Sequence, residues 1–218
     1  GPIIDGWVLP DDPAALWLAG KQHNVPFMAG SNADEGTLFL GDLPVRRPVG
    51  YALTVRTMFG KDAPAVLKLF PAATPADVPK ALNRLTTVTA FAAPARALAW
   101  AMAKVPSKAY LYHFTRVPPI PAAQRLGAFH GLEIAYVFGT LRAGAPWAEA
   151  DRTLAATMSA CWVQFATTGD PNRDGLPPWP ACDAATDQHL EFGTRVVAKA
   201  GLYREACDLF DRIAAERR

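Results

Sequence analysis

Hydrophobic and polar positions along this chain switch between a period of two and a helical period, and the switches predict its elements. Val25-Pro26-Phe27-Met28-Ala29-Gly30 is a short apolar run ending in small and polar residues, which predicts a buried strand running out into a loop. Residues 109–115, rich in aromatics, predict a second strand before the proline-rich loop 118–121. His189-Leu190-Glu191-Phe192 predicts a third, with Arg195-Val196-Val197-Ala198 returning as a terminal ribbon. Helical spacing takes over between the first two strands. Residues 63–69 predict a short helix that stops near Pro71, and residues 75–105 predict one or two more, with Thr74 as N-cap before Pro75. Over 146–168 the apolar positions Leu154, Met158, Cys161, Trp162 and Phe165 predict a long helix; Gly169 caps it and Pro171 blocks its continuation. Residues 204–216 form an amphipathic last helix through Leu209, Phe210 and Ile213. Strands alternating with helices predict an α/β architecture, and no repeat or low-complexity linker divides it.

Composition narrows the function classes. The chain has 218 residues, half of them hydrophobic, 19% charged, with a formal net charge of +2. That is enough length for one sizeable core, and it offers no concentrated basic face for nucleic acid. The doublets Arg46-Arg47 and Arg217-Arg218 are too short to make one and read as solvated surface. No apolar run approaches the ~20 residues of a membrane-spanning helix. The closest stretch, 90–105, is interrupted by Pro94, Arg96 and Lys104 and reads as a helix with one buried face. No signal peptide is visible, which decides nothing about compartment. Cys161, Cys182 and Cys207 lack Cys-x-x-Cys spacing and the histidines are scattered, which argues against zinc. The cysteines read as buried free thiols, with one disulfide among them as the alternative.

Candidate chemistry sits at two places, Gly30-Ser31-Asn32-Ala33-Asp34-Glu35-Gly36-Thr37 and Gly127-Ala128-Phe129-His130-Gly131-Leu132-Glu133. His130 follows a strand and a loop, has small neighbours on the loop, and opens a helix expected from Leu132. A base that takes and returns a proton needs such a position, and it needs a carboxylate to hold its tautomer. Asp34 and Glu35 both follow the first strand, and chemistry alone does not choose between them. Glu133 reads as a first-turn acid of the following helix, or as a second partner for His130. Singly, each residue has a bland structural explanation; the order acid then histidine, each after a strand, makes them a candidate pair. The nucleophile is missing. In an α/β-hydrolase it precedes both partners, and the three serines, Ser31, Ser107 and Ser159, lie in no Gly-x-Ser-x-Gly elbow. The neighbours of Ser31 suggest a loop.

At these residues the chain resembles the C-terminal portion of a type-B carboxylesterase, the family of bacterial para-nitrobenzyl esterases and animal cholinesterases. The opening Pro2-Ile3-Ile4-Asp5-Gly6-Trp7-Val8-Leu9-Pro10, the strand and acid motif 26–38, Phe129 to Ile134 with Val137-Phe138-Gly139, and Phe165 to Asn172 with Trp179-Pro180 carry the resemblance in order. It implies the C-terminal half of an α/β-hydrolase fold, a central and mostly parallel sheet flanked by helices, within a single catalytic domain over 1–218 whose nucleophile-bearing part lies upstream. It implies Glu35 rather than Asp34 as the triad acid, His130 as the base, and Leu38, Phe39 and Phe129 beside the substrate. The activity implied is hydrolysis of a small-molecule carboxylic ester through a serine acyl-enzyme, with no metal or organic cofactor. The partner implied is the upstream half, which would hold the serine and the oxyanion hole; the isolated chain would be inert. Cys207 resembles a cysteine that some members pair with one just before a proline; Ala93 stands there, so that disulfide is expected to be lost, as in bacterial members. The rival readings are a non-catalytic, cholinesterase-like binding module and a bare structural fragment, folded or docked but inert by itself. Retention of both Glu35 and His130 counts against the binding module.

Overall fold

The computed structural model describes residues 3–41 and 45–217; Pro2 of the opening motif and Arg218 of the terminal doublet lie outside the described residues. Four strands, β1 Phe27–Asn32, β2 Ala109–Phe114, β3 Gln188–Phe192 and β4 Val196–Ala200, form one sheet in that order. The first three are parallel and β4 returns antiparallel. Around them lie α1 Pro13–Leu18, α2 Pro48–Phe59, α3 Ala63–Leu69, α4 Val78–Thr86, α5 Ala93–Ala101, α6 Pro121–Leu126, α7 Ile134–Val137, α8 Glu149–Thr168 and α9 Arg204–Glu216. The mostly parallel sheet with flanking helices agrees with the expected fold class.

Alternation along the strands sorts side chains to two faces. Tyr110, Phe114, Leu190 and Phe192 turn towards a cluster with Met158, Cys161 and Trp179, which α8 covers. Ala109 and Leu111 turn the other way, against Ala95, Ala99 and Met102 of the helix crossing that face. A third cluster joins α2, α3, α4 and α9 through Val55, Val66, Leu82 and Phe210. All three cysteines are buried free thiols.

Several boundaries moved, each for a local reason. β1 occupies 27–32 rather than 25–30, because Ser31 and Asn32 pair with His113 and Phe114 of β2. Both are buried, and polar partners receive them: Ser31 Oγ lies 3.4 Å from His113 Nδ1, and Asn32 Nδ2 donates to the Phe129 carbonyl at 2.8 Å. Ser31 is thus in a strand, not a loop. Helix α4 starts at Val78, because the Thr74 N–H and hydroxyl both donate to the Asp77 carboxylate and close a turn first. Helix α8 starts at Glu149, where the Asp151 carboxylate accepts the Ala148 N–H; Gly169 ends it at φ +77°. Pro121 opens α6 inside the expected loop, and the helix expected from Leu132 begins at Ile134. Residues 78–104 form one rod whose middle, Thr87–Ala92, widens into a π-helical turn just before Pro94. A proline lacks the donor that a tight turn would need there.

His113 supplies a test of the buried sheet face. Its Nδ1 lies 3.1 Å from the Ser31 carbonyl, so the neutral ring carries its proton there. Burial, reinforced by His189, holds its pKa down to about 4, against 6.5 for an ordinary histidine. The unfolded chain therefore takes up this proton at higher pH than the native state. The stability involved is complete above pH 6.5 and is lost as pH falls towards 4, up to about 3 kcal/mol. Thermal melts across that window should show the loss. His113→Asn, which keeps a donor for the Ser31 carbonyl, should make the loss shallower, leaving the part that comes from His189, whose pKa burial also lowers.

Candidate active site

Past Asn32 the chain tightens into a 3-10 turn, Glu35–Leu38, whose first residue is the buried Glu35. One carboxylate oxygen, Oε1, accepts the Asn32 N–H at 2.7 Å. The other, Oε2, lies 2.7 Å from Nδ1 of His130. Ninety-five residues separate this pair in sequence.

The loop that carries His130 is laid against the end of β1. Asp34 and Phe129 form a short parallel bridge, the Asp34 N–H donating to the Ala128 carbonyl at 3.0 Å. The Asp34 carboxylate accepts the Ala128 N–H at 2.9 Å and Asn83 Nδ2 of α4 at 2.8 Å. Gly127 makes this approach feasible: its φ is +72°, and a Cβ there would stand 2.1 Å from Asp34 Oδ2. The two adjacent acids therefore touch different things. Asp34 holds the loop backbone, and Glu35 holds the imidazole.

A carboxylate against Nδ1 fixes the proton on that nitrogen and leaves the lone pair on Nε2. The Glu35 side chain is 5% exposed while the His130 side chain is 45% exposed, so the carboxylate is dry and the imidazole is reachable. Burial pushes the Glu35 pKa above the usual carboxylate range; the Asn32 N–H and His130 oppose this, and the nearby charge of Glu133 adds to it. Glu133 itself does not bond to His130. Its carboxylate meets Asn32 Nδ2, and it stands at the N-cap position of α7 rather than within the first turn.

Leu38 and Phe39 are both exposed, and the Phe39 ring centroid lies 5.2 Å from that of His130. Phe129 precedes His130, but its side chain packs against the cluster of Tyr110 and Phe114. Sequence reasoning missed Phe91, whose ring lies 5.1 Å from His130 and stacks on Phe39 at 6.2 Å. It sits in the π-helical turn, and a run of apolar residues gives no sign of a local change in helical period. Ser31 is bonded on the opposite face of the sheet, Ser107 lies in the loop before β2, and Ser159 lies on α8. Among the described residues no three His, Cys, Asp or Glu side chains group to hold a metal ion, and no helix is long and apolar enough to cross a membrane.

A model of the carboxylesterase family matches residues 65–210. This chain belongs to the carboxylesterase family. Fumonisin B1 esterase of Sphingopyxis macrogoltabida is 36% identical to it over 213 residues, which is 93% of this chain and 38% of that protein. Para-nitrobenzyl esterase of Bacillus subtilis (strain 168) is 29% identical over 202 residues, 89% of this chain and 40% of that protein. Human carboxylesterase 3 is 31% identical over 239 residues, 93% of this chain and 40% of that protein. This carboxylesterase chain thus spans about two fifths of the length of the curated relatives it matches, and the part it matches is their C-terminal part. Its mixed sheet with flanking helices is the α/β-hydrolase arrangement that the family implies. The family match includes His130 and begins after Glu35.

Proposed function

We propose that this chain carries the acid and the base of a serine esterase, within a single catalytic domain whose upstream part supplies the nucleophilic serine and the oxyanion donors. The observation that carries the reading is the 2.7 Å contact between buried Glu35 and half-exposed His130. A serine hydroxyl attacks the ester carbonyl carbon as its proton passes to His130 Nε2. The tetrahedral intermediate collapses, and His130 returns the proton to the departing alcohol. Water then repeats the attack on the acyl-serine, deprotonated by the same nitrogen, and releases the acid and the free serine. Glu35 keeps the tautomer and stabilises the imidazolium at both stages. Leu38 and Phe39, joined by Phe91, offer an apolar wall to the ester, and Phe129 supports the loop from below. No metal or organic cofactor takes part.

The upstream partner is favoured by two surface features. β1 lies at one end of the sheet, where an unpaired strand edge invites another strand. Ile3, Ile4, Trp7 and Val8 are all exposed before it, an apolar stretch of the kind that marks an interface. In the test, this chain and a separately produced upstream half are assayed alone and mixed, with para-nitrophenyl acetate as substrate. The chain alone should hydrolyse no more than its His130→Ala variant does, and should run in light scattering as an associated species. The mixture should turn over, and the same mixture with His130→Ala should not. Burst kinetics with an acyl adduct on Ser31, Ser107 or Ser159 of the isolated chain would overturn the reading.

A further inference from the structure

Asn32 joins the two arms of the pair. Its backbone N–H donates to Glu35 Oε1 at 2.7 Å. Its side-chain amide has two hydrogens, and both go to the histidine loop: one to the Phe129 carbonyl at 2.8 Å, immediately before His130, and one to the Glu133 carboxylate, three residues after it. The residue is 1% exposed. From one point at the end of β1 it therefore holds the acid and grips the loop on both sides of the base. We infer that Asn32 is a positioning residue that sets the distance between Glu35 and His130; this rests on the esterase reading above.

The choice of side chain follows from the demand for two uncharged donors on a short arm. Serine offers one donor and aspartate none. Glutamine is one methylene longer, in a place where burial leaves no slack. Strand alternation aims the residue correctly: Ser31 turns to His113 on one face, so Asn32 turns to the loop on the other. The interaction with Glu133 also bears on charge. The carboxylate that helps to raise the Glu35 pKa is the one that the amide holds.

Asn32→Asp in the enzyme reassembled from both halves tests this, since it keeps size and the backbone N–H while turning two donors into acceptors. At matched folded fraction we expect kcat to fall about 10²-fold, with KM within about threefold, as for a misplaced catalytic group. Adding Glu133→Gln to that variant restores one hydrogen bond with donor and acceptor exchanged, and should recover at least part of the kcat loss. The far-downfield proton resonance of His130 Nδ1–H reads the contact without activity. It should shift or broaden in Asn32→Asp and sharpen again in the double variant. If Asn32→Asp does not fold, Glu133→Ala takes its place: Glu133 is half-buried on the loop side, so β1 stays intact, and about a tenfold kcat loss with the same resonance change is expected. Wild-type kcat and an unmoved resonance in the folded variant would overturn the inference. So would a kcat loss with an unmoved resonance and no recovery in the double variant. A wild-type mixture without turnover would instead sink the esterase reading, and the resonance would still decide whether Asn32 holds the pair.

Discussion

Glu35→Gln in the reassembled enzyme is expected to lower turnover on the order of 10⁴-fold, as when the acid of a serine-protease triad loses its charge. The local geometry makes the loss specific. Glu35 Oε1 is held by the Asn32 N–H, so the glutamine oxygen must take that place and its amide nitrogen must face His130 Nδ1. An amide donor there forces the proton onto Nε2, where it blocks uptake of the serine proton. The remaining interaction also lacks the charge that stabilises the imidazolium. Because that stabilisation matters only once the base is charged, the loss should fall on kcat rather than KM. Asp34→Asn is the control. Its carboxylate accepts from Ala128 and Asn83, so one of two hydrogen bonds is lost, with about 1–2 kcal/mol of stability and little of the turnover. Turnover of the two variants at matched folded fraction decides the matter. A crippled Asp34→Asn beside a near-normal Glu35→Gln would move the acid by one residue.

Arg96→Leu should destabilise the fold by about 3–5 kcal/mol, a large part of what a domain possesses. Arg96 is 1% exposed on α5. It gives Nε and Nη2 to the buried Asp187 just before β3, at 3.0 and 3.2 Å. It also reaches Asp208 and Asp211 on α9 and lies 3.7 Å over the ring of Trp100. A leucine fills part of the space but leaves the Asp187 charge buried, with the half-exposed Arg204 at 3.3 Å as its remaining ion pair. The cost comes from that uncompensated charge more than from the lost contact. Urea denaturation should show a lower midpoint at unchanged slope. Lys61→Ala, which breaks an exposed pair with Glu216, should leave the midpoint nearly where it was.

Local pattern was enough to place much of the scaffold. Helices α3 and α9 lie where the apolar spacing put them, Gly169 ends α8, and the runs at 27–30, 109–114 and 189–192 are strands. These features depend on neighbours within a turn or two, so period, caps and proline carry them. The motifs around Glu35 and His130, with their order, also made the family legible from the chain itself. Tertiary structure decided what depends on contacts between distant segments. Ser31 and Asn32 look like loop residues in isolation; β2 and the 127–133 loop, some eighty to a hundred residues away, supply the partners that make them strand. Arg96 reads as an interruption of an apolar run and is instead its most buried charge, because Asp187 meets it from 91 residues on. Asp34 and Glu35 are chemically alike and adjacent; the family resemblance named Glu35, and the packed loop is what brings its carboxylate to an imidazole while Asp34 takes the loop backbone. A carboxylate declares its own chemistry in the sequence, but the partner that meets it is set by how the chain returns.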